Sequence, residues 1–137
     1  MTLNKHLLVA LLYAGTMIPA WADPVVIVNP KMTARITPAD VRNIFLGNTK
    51  SFPDGSIAIP VTLRNGKIRD DFFAQTLGKT ETQYKAIWSR LMFPGTGQPP
   101  RELDTEDEIK KLISLNPNII GFIDTSKLDQ SVREVAK

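Results

Sequence analysis

Near the front of the chain, Val25-Val26-Ile27-Val28 form an unbroken apolar and β-branched run closed by Asn29-Pro30, and this run limits the possible folds most severely. A short β-branched run without polar alternation predicts a strand covered on both faces, since neither side of the pleat is suited to water. Such a strand sits inside a sheet and needs helices above and below it.

The rest of the chain carries signals for those partners. Thr37 reads as an N-cap with Pro38 at the first helical position and Asp40 at N3. Val41, Ile44 and Phe45 make the apolar face, and Gly47 is the stop. Asn48 to Ser56 is rich in turn formers, with Pro53-Asp54-Gly55 as a tight turn, and leads into alternating Ile57, Ile59, Val61 and Leu63. Pro60 lacks a ladder donor, so this second strand is expected at an edge or with a local irregularity. After the turn Arg64-Asn65-Gly66, residues Ile68, Phe72, Phe73 and Leu77 form one helical stripe ended by Gly78.

Thr80 with Gln83 forms a capping box for a helix carrying Tyr84, Ile87, Trp88, Leu91 and Met92. Helical spacing marks Phe72, Phe73, Tyr84 and Trp88 as core rather than as an aromatic ligand wall. Phe93 to Pro100 holds two glycines and three prolines and reads as an irregular loop. Asp104 or Thr105 caps a further helix with Ile109, Leu112 and Ile113 inward and Asn116-Pro117 at its end. Ile119, Ile120, Phe122 and Ile123 form a strand in which Gly121 allows close backbone approach. The tail from Ser131 to Lys137 fits a short strand or a frayed helix. This order predicts an α/β fold, a small mixed or parallel sheet flanked by helices.

The first 22 residues read as a signal peptide: Lys5, an apolar run from Leu7 to Ala14, then Ala20-Trp21-Ala22 as small-residue cleavage positions. Cleavage after Ala22 is expected to leave residues 23–137 as one domain released into the periplasm, with no stable membrane span. The apolar run is shorter than the roughly 20 residues a bilayer requires. Without Lys5, 16 basic residues face 14 acidic ones, and no long basic block or basic-aromatic stripe is present, so nucleic acid is not an expected partner.

His6, the only histidine, falls in that leader, and cysteine is absent from the chain. Thiol and imidazole nucleophiles, histidine general bases and zinc sites built on His or Cys are thereby excluded from residues 23–137. Carboxylates and lysines remain as chemistry. No enzyme, cofactor or metal site is expected. The acidic stretch Glu102 to Glu108 lacks the register and glycine of a calcium loop and reads as an acid-enriched helix start.

Two segments remain as candidate ligand contacts. Arg64, Asn65, Gly66, Lys67 and Arg69 surround a helix start and suit a small oxyanion, through guanidinium forks, amide donors and the positive end of the helix dipole. The alternative is a solvated turn in which Asp70 and Asp71 already satisfy the dipole and pair with the basic side chains. Thr96, Gly97 and Gln98, after Gly95, make a second candidate, a glycine loop whose N–H groups face an anion; an ordinary turn before Pro99-Pro100 is the plainer reading.

Three stretches together resemble the phosphate-type substrate-binding proteins of ABC importers, particularly their short stand-alone relatives. They are the capped helix Ile36 to Gly47 ending in Ile-Phe-Leu-Gly, the strand Ile59-Pro60-Val61-Thr62-Leu63-Arg64 followed by a helix with Phe72, and Asn116 to Asp124 with its Ile-Gly-Phe strand. The resemblance implies a single lobe of a type II periplasmic-binding fold where the full-length family has two that close on an anion. It also implies phosphate or another small oxyanion as ligand and an envelope or transporter protein as a possible partner. Arg64 falls where the family places its anion-binding arginine. The family's following Ser-Gly-Thr turn is replaced here by Lys67-Ile68-Arg69, without hydroxyls. A second function consistent with a lone lobe is a non-catalytic envelope interaction module that has lost its ligand.

Overall fold

The computed structural model of the chain describes Gly15 and residues 23–135; apart from Gly15, the leader of residues 1–22 lies outside the described residues, as do Ala136 and Lys137. Five strands, β1 (Pro24–Val28), β2 (Ile59–Leu63), β3 (Arg101–Leu103), β4 (Ile119–Asp124) and β5 (Arg133–Glu134), form one sheet in the order β3-β2-β4-β1-β5. The sheet is mixed. β2 runs parallel to β3 and β4, while β1 runs antiparallel to β4 and β5. The apolar run of β1 is therefore internal, as its composition requires, although β4 holds the central place.

The α-helices among the described residues are α1 (Pro38–Phe45), α2 (Lys67–Phe72), α3 (Glu81–Met92) and α4 (Glu106–Leu115). Side-chain alternation on β4 sorts them into layers. Phe122 stacks on Phe72 of α2 with ring centroids 3.9 Å apart, and Phe45 of α1 meets Phe72 edge-on at 4.9 Å. The adjacent Gly121 faces α4, where a Cβ would lie 2.8 Å from Ile109 Cγ2. Helices α1 and α2 thus lie on one face and α4 on the other, a three-layer arrangement.

Local signals set these elements. Thr37 and Asp40 form the reciprocal capping box of α1, and Thr80 and Gln83 that of α3. Thr105 rather than Asp104 caps α4. Asn29, the residue that closes β1, is buried and donates its side-chain amide to Ile113 O at 2.9 Å and Ser114 O at 3.0 Å, satisfying carbonyls at the end of α4. Trp88 Nε1 donates to Phe45 O at 3.2 Å and ties α3 to the end of α1.

Two expectations need correction, and one alternative is selected. Of the edge position and the local irregularity expected from Pro60, the irregularity holds, since its strand lies between β3 and β4. Ile59 N donates toward β4 and Arg64 N toward Leu103 O of β3, so even-numbered residues of β2 face β3. Pairing with β3 begins only at Val61, and the nitrogen without hydrogen falls ahead of that strand's start. The stripe through Leu77 is not one regular helix, because α2 passes into a π-helical stretch, Phe73–Leu77, before Gly78. Met92 leaves the core stripe of α3 and is exposed.

Candidate functional site

Because β2, β3 and β4 are parallel, their carboxyl ends gather on one side of the sheet, which is where open α/β folds bind ligands. Residues following the three ends converge there. Asn65, Gly66 and Lys67 after β2, Thr105 and Glu106 after β3, and Lys127 after β4 border a depression of about 390 Å³. Lys127 sits on the short 3-10 turn Thr125–Lys127. The turn Arg64 to Lys67 is exposed.

The start of α2 differs from the other three helix starts, all of which are capped by a threonine side chain. Gly66 occupies its cap position at φ 107°, a backbone conformation that Ser, Thr or Asp rarely adopts, and no side chain caps the helix. Its first N–H groups are left for an outside acceptor.

The charges around this opening are paired. Arg64 Nε lies 3.0 Å from Asp104 Oδ1, Lys67 Nζ 2.8 Å from Asp71 Oδ2, and Lys127 Nζ 3.3 Å from Glu106 Oε2. The first two pairs reach solvent and are held weakly, so a bound anion competes with carboxylates for cations that remain available. The solvated-turn alternative is thus partly realised in Lys67 and Asp71.

The predicted contacts do not form one site. Arg69 is only 4% exposed, lies over the Phe73 ring at 4.3 Å, and forms an ion pair with Glu81 of α3. It does not border the depression, because its position on the helix directs it into the interface with α3. Thr96, Gly97 and Gln98 border a different cavity, of about 360 Å³, with Ile57 and Ile59 at the start of β2. The parallel pairing of β2 and β3 puts the loop before Arg101 at the opposite end of the five-residue β2, roughly 17 Å from Arg64 at ~3.3 Å per residue. No local reading reveals this, because it follows from strand direction. Thr105, Glu106 and Lys127 escaped sequence reasoning for the same reason, being about 40 and 60 residues from Arg64 and carrying no motif of their own.

No family description matches the chain, and no characterised protein matches it by sequence. Solved structures do. An ABC-type phosphate transport receptor from Vibrio cholerae superposes with a TM-score of 0.66 at 16% identity, over 83% of this chain and 45% of that one. A Clostridium perfringens protein assigned to phosphate ABC transport and solved with bound phosphate gives 0.64 at 18% identity, over 83% and 44%. PstS from Borrelia burgdorferi gives 0.58 at 14%, over 84% and 47%. The chain spans less than half the length of these proteins and has the fold of one lobe of a periplasmic-binding protein.

Proposed function

We propose that the chain is a non-catalytic solute-binding protein of the periplasm, exported and cleaved after Ala22, that holds phosphate or a similar small oxyanion in the depression at the carboxyl ends of β2, β3 and β4. The uncapped start of α2 carries this reading, since it offers free N–H groups and the positive end of a helix beside Lys67, while Arg64 stands just outside the lining, paired with Asp104 on its border. The fold it shares with phosphate receptors supports the same ligand class. Asn65 adds an amide donor. Glu106 and Asp104 oppose the anion and keep binding weak.

Calorimetric titration with phosphate and with sulfate tests the proposal. Arg64→Ala is expected to weaken binding about tenfold, the loss of one charge-assisted hydrogen bond. Asp104→Asn should tighten it several-fold by freeing Arg64 Nε from its competing carboxylate. Absence of heat with either anion, or tighter binding by Arg64→Ala, would refute it.

A further inference from the structure

The end of the sheet opposite the depression has a different character. The large apolar side chains exposed among the described residues are Ile57 (65%), Ile59 (43%), Met92 (53%), Phe93 (96%) and Leu115 (74%). All five belong to segments that enter β2, β3 or β4 at their amino ends: Ile57 and Ile59 begin β2, Met92 and Phe93 open the loop that feeds β3, and Leu115 ends α4 just before β4. These segments share one end of the sheet: Leu91, next to Met92, borders one cavity with Ile57 and Ile59, and Arg101 borders both this cavity and the one beside Leu115.

The rim is mainly cationic. Arg90 lies on the last turn of α3, Arg101 starts β3, and Lys111 borders the cavity beside Leu115. None of these three forms an ion pair among the described residues, whereas Lys50 is anchored by donation to Thr96 O at 3.0 Å. The acids on this side include Glu102, next to Arg101 on β3, Glu108, which borders the cavity beside Leu115, and Asp54 in the turn before β2. The Asp54 carboxylate is engaged by Ser56 Oγ and N.

We propose that this end docks on an anionic lipid surface, with Phe93 and Met92 inserted at the headgroup boundary and Arg90, Arg101 and Lys111 against lipid phosphates. Charge complementarity selects a bilayer as the occupant: cations without ion-pair partners among the described residues accompany exposed apolar side chains at one end of the sheet, the composition of an interfacial segment that meets negative headgroups. The docked orientation turns the carboxyl-end depression toward the aqueous phase. The inference stands apart from the oxyanion proposal, since the two ends of the sheet share no residue.

The test is cosedimentation with vesicles of phosphatidylcholine, with or without about one third phosphatidylglycerol. It is run on the full chain and on the chain starting at Asp23, so that the apolar run of residues 7–14 does not contribute to the second. In the Asp23 form, binding to the anionic vesicles is expected to exceed binding to the neutral ones about tenfold and to fall about tenfold again in Phe93→Asp, a fully exposed position whose change leaves the core intact. Arg90→Glu with Arg101→Glu should remove the preference for anionic lipid. Absence of vesicle binding, or binding undiminished by Phe93→Asp, overturns the proposal. So does a self-association in sedimentation velocity that Phe93→Asp abolishes while vesicle affinity is nil, which would assign the patch to a second copy.

Discussion

A methyl group added at Gly121 would sit 2.8 Å from Ile109 Cγ2 and 3.1 Å from both Ile113 Cδ1 and Val61 Cγ2. Neither α4 nor β2 can retreat without opening the core behind it. Gly121→Ala is therefore expected to lower stability by about 1–3 kcal/mol, seen as a lower urea midpoint at unchanged slope. Glu81 offers a test by pH. Its hydrogen bond to Arg69 holds the carboxyl below the usual carboxylate range, outweighing the opposing effect of partial burial. A depressed folded pKa contributes stability that is full above the unfolded value of 4.5 and disappears as pH falls through the folded one. Glu81→Gln should accordingly melt below the parent at pH 7 and approach it at pH 3. An equal gap at both pH values would mean that the charge on Glu81 does not support Arg69.

At the scale of elements, the short β5 protects β1. Val132 and Val135 are buried on either side of it, and β5 closes the outer edge of β1 through Ile27 and Val28. Ending the chain at Gln130 is expected to cost about 3 kcal/mol, from two buried valines at roughly 1.5 kcal/mol each, and to leave an apolar edge that aggregates on warming. Light scattering during a thermal ramp reads both effects; a truncated chain that melts and scatters like the parent would show β5 to be dispensable. Helices with a threonine cap and an apolar face were legible in sequence to within a residue or two, as were the β-branched strands, because local chemistry determines both. Less was readable where geometry between elements decides. Pro60 marked an edge or an irregularity by its missing donor, and only the structure decides between them, because the gap lies ahead of a three-residue β3 too short to announce itself. The turn at Arg64 was visible as polar and basic, but the direction of Arg69, the remoteness of Thr96 and the arrival of Lys127 all depend on the parallel course of β2, β3 and β4.

At the largest scale, the described residues form one lobe, whereas the phosphate receptors it resembles are about twice the length of this chain. Two-lobed proteins compact when a hinge closes on ligand. Here the radius of gyration is expected to stay at about 13 Å with and without saturating phosphate, the value for a compact domain of this size. Small-angle scattering checks it; contraction on adding phosphate, or a particle of twice the mass, would require a second body to complete the site.

The pairing of the earliest strand with the last two has a consequence for synthesis. Among the described residues, the strand partners of residues 24–28 are 119–124 and 133–134, so their pairing waits until about a hundred further residues have been made. Contacts across such sequence separations form slowly. Until residues 119–134 have emerged, the strand that most limits the fold has no edge to pair with and stays open to misplaced partners.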